Sequence, residues 1–268
     1  MASFLAPVSV FDEHHFRKEF NQQLFESHAR RRKVIPEVGF NLDEDEYPKI
    51  MEQILLRGWR RLAAPMTGVS KLLVQELYAN AAVSDEEAAD EDELPYKSFS
   101  HEDQECNSRG KTDYKTRQAI DQRLDEVLAN LCIPRATWKL SSGQPAVPIQ
   151  LRRTELHPLA KGWQEFIIHS LVPMGNKFEI TIARAILIHC IMRGEEVRAE
   201  DIIVDNMAVI AQGLQNKGNL AFPSTIYKLC KDVGVSLREF RRTSKIPEEK
   251  YITAKRMEST RIPRNLPQ

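Results

Sequence analysis

The sequence predicts a mainly α fold: a compact multi-helix domain with an acidic, disordered linker, a basic C-terminal tail and room for one short β-hairpin. Three observations carry this. Four apolar segments between residues 157 and 235 repeat at helical spacing, each bounded by residues that start or stop a helix. The apolar clusters upstream follow the same period. The stretch 141–153, with Gly143, Pro145 and Pro148, reads as loop or short extended structure.

Taken in order, residues 1–10 read as loose. Asp12 can cap a helix over 12–33 whose apolar side is Phe16, Phe20, Leu24 and Phe25. The basic run Arg30, Arg31, Arg32 and Lys33 falls at its end, where positive charge suits the helix dipole. Residues 39–45 read as a loop. A helix over 48–62 would bury Ile50, Ile54, Leu55, Trp59 and Leu62, and one over 69–81 would use Val69, Leu72, Leu73, Leu77 and Tyr78. Positions 84–93 hold seven acids in ten and, with 94–112, form the expected linker. A helix resumes over 115–131, with Ile120, Leu124, Val127, Leu128 and Leu131 on one face.

The four core segments follow. In 159–172, Trp163, Phe166, Ile167, Ser170 and Leu171 share a face, with Pro158 at the start and Pro173 beyond the end. In 179–193, Ile180, Ala183, Ile186, Leu187, Cys190 and Ile191 make one face while Ile182 and Ile188 lie elsewhere. A helix apolar nearly all round is expected at the centre. Asn176 is its expected cap, with Glu179 completing a capping box and Gly194 the left-handed stop. The third, 200–215, carries Ile203, Met207, Ile210 and Leu214, with Glu200 and Asp201 at its positive end. The fourth, 224–233, carries Ile226, Leu229, Cys230 and Val233 between Pro223 and Gly234. From 226 to 268 the chain has eleven Lys/Arg against five Asp/Glu, a net of +6.

The wording of these segments is itself informative. "LHPLAKGWQEFIIHSLVPMGNKFEITIARAILIHCIMRGEEVRAEDIIVDNM", beginning at Leu156, resembles the putative plant transposon protein domain. So do "RGWRRLAAPMTGVSKLLVQELYANA" from Arg57, "LDEVLANLCIPRATW" at 124–138 and "LAFPSTIYKLCKDVGV" at 220–235. The resemblance covers roughly residues 40–240 and implies an origin in a plant retroelement, in gag-like or chimeric reading frames. It implies no demonstrated transposase and offers no catalytic residues to carry over. The chain departs from the family where "LPYKSFSHEDQECNSRGKTDYKTRQAI" stands in place of a short V-R-G-K-x-V-x-F-S stretch. The organisation expected is an N-terminal helix and loop over 1–39, the family domain over 40–240 interrupted at 83–113, and a basic, largely irregular tail over 241–268.

The 268 residues are 42% hydrophobic with formal net charge zero and pI near 7.1, so the chain as a whole is no generic polyanion binder. Cys106, Cys132, Cys190 and Cys230 are widely spaced and read as reduced, buried thiols. No stretch reaches about 18 apolar residues, and the first twenty do not read as a signal peptide, so a nuclear or cytoplasmic protein without membrane attachment is expected.

An aspartic protease needs Asp-Thr-Gly or Asp-Ser-Gly, a phosphate loop G-x-x-x-x-G-K-[ST], a nucleophile elbow G-x-S-x-G, and the sequence has none of these. His14–His15, His101–Cys106 and His189–Cys190 are the closest approaches to a zinc array, and neighbouring His189 and Cys190 point to different sides of a helix. No catalytic, cofactor or metal residue is singled out and no cofactor is expected. Arg30, Arg31, Arg32 and Lys33 could form a nuclear localisation patch, or simply end a helix. Arg238, Arg241, Arg242 and Lys245 fall near helical spacing and could contact phosphates from one basic face, or form a solvated tail. The function expected is a non-catalytic helical assembly or nucleic-acid-associated module, self-associating or binding RNA or DNA through its tail. A transposase-like enzyme and a decayed copy are the alternatives.

Overall fold

The computed structural model describes residues 11–43, 45–84, 117–173, 178–216, 218–247 and 251–258. Most of the acidic linker, Cys106, His101, the Asn176 cap, and Pro263 and Pro267 lie outside them, as does the side chain of Ile120. The described helices are α1 (Glu19–Ser27), α2 (Pro48–Leu56), α3 (Arg60–Ala63), α4 (Lys71–Ala81), α5 (Arg117–Leu131), α6 (Pro158–Ser170), α7 (Ile182–Arg193), α8 (Ala199–Gln212), α9 (Pro223–Asp232) and α10 (Ala254–Glu258). A three-stranded antiparallel sheet runs in the order β1 (Lys139–Leu140), β2 (Pro148–Arg152), β3 (Glu179–Thr181). The chain divides into two compact units: unit 1 is Met1–Ile35, Thr67–Lys97 and Met207–Pro247, and unit 2 is Pro36–Met66, Ser98–Asn206 and Glu248–Gln268.

Unit 2 is built on α6. Pro158 stands in its first turn, where no N–H is needed, and the His157 ring accepts from the Ala160 N–H at 3.3 Å. The apolar stripe meets an aromatic cluster: Phe166 stacks on Phe40 at 5.2 Å and on Trp59 at 6.3 Å, and Trp163 meets Phe166 edge-on at 5.8 Å. The opposite side is also covered, so every residue from 160 to 170 is buried, including Lys161, Gln164, Glu165 and His169. The central helix of unit 2 is thus α6, and the segment 179–193 differs from its expected form. Glu179–Thr181 is strand, because Ile180 and Thr181 find partners in Leu151 and Gln150 of β2, and the helix begins only at Ile182. Ala183 is consequently exposed, while Ala185, Ile188 and Ile191 are buried. Gly194 ends α7 with φ +76°, as its sequence position foretold. Within the stretch 141–153, residues 141–147 form the loop of a hairpin and Pro148–Arg152 forms β2, paired to β1 on one side and β3 on the other.

The expected helix over 48–62 is broken. Gly58, at φ +67°, turns the chain between α2 and α3, which buries Trp59 and leaves Leu55 exposed. Arg57 closes the end of α7 by donating from Nη2 to the carbonyls of Glu195 at 2.6 Å and Ile191 at 3.3 Å, and it lies 5.2 Å from the Trp59 ring centroid.

One carboxylate organises the polar side of α6. Glu165, with its side chain 4% exposed, accepts hydrogen bonds from Arg153 Nη1 and Arg256 Nη2, and His169 Nε2 lies 3.4 Å away. Arg153 Nη1 also donates to Gln164 Oε1 at 2.9 Å. Burial pushes the Glu165 carboxyl up, but the His169 hydrogen bond and the charges of Arg153 and Arg256 outweigh it and hold the group well below the usual carboxylate range. Arg256 belongs to α10. The next residue, Met257, seats against Gly162, where a Cβ would approach its Cε to 2.8 Å. Ile252 is fully buried, donating from its N–H to Gly39 and accepting from Asn41, both at 2.9 Å. Part of the expected irregular tail is therefore core of unit 2.

Unit 1 is built on α4, capped by Ser70, whose Oγ accepts from Leu73 N–H at 3.2 Å. The expected helix over 12–33 shortens to α1. Residues 12–18 are held by side chains instead: Asn80 accepts from Arg17 N–H at 3.0 Å and donates to the His15 carbonyl at 2.8 Å, and Phe16 packs on Phe25 at 5.2 Å. Asn21 Nδ2 joins α1 to α4 through the carbonyls of Ala79 at 2.8 Å and Ala82 at 3.1 Å. On α9 Ile226 and Cys230 are buried as expected. Leu229 and Val233 are exposed, because only one side of this short helix meets α4.

Replacing Glu165 with Gln should lower unfolding free energy by about 3 kcal/mol, because two half-buried guanidiniums lose their buried counter-charge. Denaturant titration at pH 7 measures this. The depressed carboxyl stabilises the fold above its unfolded value, so the difference between the wild type and Glu165→Gln should shrink as pH falls below about 4.3.

Candidate nucleic-acid interface

Helix α4 fastens both basic segments singled out in the sequence. Gln75 Nε2 donates to the carbonyls of Arg30 at 2.8 Å and Arg32 at 3.2 Å. Beyond them Val34 pairs in parallel with Leu220: Leu220 N–H donates to Lys33 at 2.9 Å and Ile35 N–H to Leu220 at 2.8 Å. Arg32 serves the fold, its guanidinium donating to the carbonyls of Leu214 at 2.6 Å and Gly218 at 3.0 Å. Arg30, Arg31 and Lys33 are exposed. Arg30 and Arg31 belong to the 3-10 turn Ala29–Arg31, which follows α1 rather than continuing it.

The second segment lies along the start of α4. Lys71 N–H donates to Ser244 at 2.9 Å, Ile246 N–H to Val69 at 2.9 Å, and Ser70 pairs antiparallel with Lys245. The Ser70 and Thr243 hydroxyls meet at 2.6 Å. Of the two readings open for Arg238, Arg241, Arg242 and Lys245, a basic helical face and a solvated tail, the helical face does not form. Glu239–Arg242 is a 3-10 turn, and Thr243 is extended at φ −84°, ψ 166°. Phe240 and Ile246 are both buried, and an extended chain between them lets the backbone pair with residues 69–71. Arg238 is exposed at the start of the turn, and Lys245 Nζ donates to the Phe240 carbonyl at 2.9 Å. The side chains of Arg241 and Arg242 lie outside the description. Over its full extent unit 1 carries fifteen Lys/Arg against fourteen Asp/Glu, because the acidic run at 85–93 falls within it, so its positive charge lies in these two segments and not in the unit as a whole.

Sequence reasoning identified the basic residues but not what holds them. Gln75 and Ser70 gave only a weak signal, a polar side chain inside an apolar helical run. The same signal, read at Glu165 and His169, would have pointed to the buried cluster of unit 2.

The polar groups around His189 and Cys190 come nearest to a catalytic constellation. His189 Nδ1 lies 3.1 Å from Asn130 Nδ2, and Arg123 Nη2 lies 3.5 Å from Cys190 Sγ and 3.5 Å from Glu195. Burial and then Glu195 push the Cys190 thiol up to about 11, while burial and Glu155 push Cys132 up to about 12. Cys230 is raised by burial. Nucleophilic cysteines need the opposite shift. Among the described residues no group of three or more His, Cys, Asp or Glu is placed to hold a metal ion, and no helix is long and apolar enough to cross a membrane.

A helical scaffold carrying basic segments is the class of protein this geometry defines. The chain belongs to the family of the putative plant retrotransposon-related domain, whose model matches residues 55–236, and it is thus a transposable-element-derived protein. No curated protein and no solved structure matches it. The matched span stops short of α10, which supplies Arg256 and Met257 to unit 2, and begins after α1, which supplies Asn21 to unit 1.

In a Cys106→Ser background, Cys132 and Cys190 should react with a thiol reagent at pH 8 roughly a hundredfold more slowly in the native chain than in urea. Mass spectrometry of the alkylated peptides checks this; native rates equal to the unfolded ones would contradict it.

Proposed function

We propose that this chain is a non-catalytic, retrotransposon-derived helical module that binds the phosphate backbone of nucleic acid through unit 1. The contacts come from Arg30, Arg31, Lys33, Arg238, Arg241, Arg242 and Lys245. The observation that carries the reading is the fastening of two basic segments, far apart in sequence, to the one helix α4 through their backbones. Backbone anchoring leaves Arg30, Arg31, Lys33, Arg238 and Lys245 exposed at low entropic cost, which suits phosphate contact. We assign 30–33 to this surface rather than to a localisation signal. A receptor would have to strip that run from Gln75 and Leu220 before reading it. A non-catalytic role is supported by thiols held in their unreactive form.

Binding of this kind is indifferent to sequence. Base stacking would need exposed aromatic rings, and Phe11 is the one exposed Phe, Tyr or Trp among the described residues of unit 1.

Fluorescence anisotropy with 20-nucleotide RNA and DNA strands of mixed sequence tests this. Log affinity should fall linearly with log salt, by roughly 0.7 per phosphate contact for single strands. Changing all seven cations to Gln should flatten that slope by several units while circular dichroism stays unchanged. No binding at low salt, or an unchanged slope in the folded variant, would overturn the proposal.

A further inference from the structure

The segment before α1 places one imidazole between two carboxylates from different elements of unit 1. His15 Nδ1 lies 3.1 Å from Glu76 Oε2 on α4, and His15 Nε2 lies 3.5 Å from Glu239 Oε2. Glu239 opens the 3-10 turn that contains Arg241 and Arg242 and directly follows Arg238. The ring is well positioned for this: the His15 carbonyl accepts from Asn80 at 2.8 Å, and its N–H donates to Asp12 at 3.2 Å.

The chemistry of the ring decides what this arrangement does. A protonated imidazole donates from both nitrogens and can serve both carboxylates. A neutral one donates from a single nitrogen and turns a lone pair toward the other. We propose that His15 is a pH-operated clasp: protonated, it ties the basic 239–242 turn to α4 and sets the nucleic-acid surface; neutral, it releases the turn. This rests on the function proposed above for the same surface. The protonated ring also neutralises Glu239, which otherwise competes with phosphate for the neighbouring arginines.

The groups facing the ring are Asp12 on its own segment, Glu76 on α4 and Glu239 on the turn. The Glu76 hydrogen bond exceeds the opposing effect of burial, and all three acids add to it, so His15 titrates above its ordinary 6.5. A raised histidine contributes fully below 6.5 and loses its contribution as pH rises through the elevated value. On the acid side Glu76 is itself held above its ordinary value by burial, so the clasp weakens again as that carboxyl protonates.

Two measurements on the full chain separate this inference from the reading it rests on. Hydrogen–deuterium exchange of the 238–246 peptide, corrected for intrinsic rates, should lose protection several-fold between pH 6 and 8.5. His15→Gln should abolish the change. Glu239→Gln, at an exposed carboxylate, should do the same if His15→Gln misfolds. RNA affinity at constant ionic strength should fall over the same range in the wild type and not in the variants. Protection that is flat with pH, or equally pH-dependent in both variants, overturns the clasp. RNA affinity that ignores pH while protection changes overturns its control of the surface. A pH-dependent protection with no RNA bound at any pH overturns the proposed function and leaves the clasp standing.

Discussion

Unit 2 depends on the carboxylate of Glu165. A charge with its side chain 4% exposed carries a desolvation penalty of several kcal/mol, tolerable only because Arg153 and Arg256 donate to it. The two guanidiniums come from the turn after β2 and from α10, so a single side chain joins three stretches of chain on one side of α6. It also fixes the rotation of that helix. With Glu165 facing the arginines, Trp163 and Phe166 meet Phe40 and Trp59, and Gly162 presents the notch that receives Met257.

Unit 1 uses polar groups in a related way, with backbone carbonyls as the partners. Gln75, Asn21, Arg32 and Tyr78 each donate to main-chain oxygens of a segment distant in sequence. Carbonyls in turns, at helix ends and in loops are thereby satisfied by side chains. Basic residues can therefore be displayed from turns and extended chain.

Much of the helical content was legible. The stripe of 159–172, the stop at Gly194 and the start at Pro223 needed only periodicity and the chemistry of Pro and Gly. Other elements were not, for specific reasons. Glu179–Thr181 continues the helical period of the residues after it, and only its pairing with β2 makes it strand. Gly58 sits within an unbroken apolar pattern, so the period gave no hint of the turn. Asp12 to Lys18 forgo helix where side chains meet the backbone instead: Asn80, distant in sequence, serves the Arg17 N–H and the His15 carbonyl, and Gln22 the Asp12 N–H. At the candidate interface the residue types are visible in the sequence, which fits either a basic helical face or a solvated tail at 238–245 and carries no sign of the pairing of Lys245 with Ser70. His15 was weighed only as half of a metal pair with His14. Its two carboxylate partners come from α4 and from the 239–242 turn, and sequence spacing carries no trace of that meeting.

The claim that Glu165 joins α6 to the C-terminal segment is tested most directly by a double-mutant cycle. Unfolding free energies would be measured for the wild type, Glu165→Gln, Arg256→Gln and the double variant at pH 7. The account predicts strong coupling, with the double variant less destabilised than the sum of the single variants by about 1–3 kcal/mol. Simple additivity would contradict it.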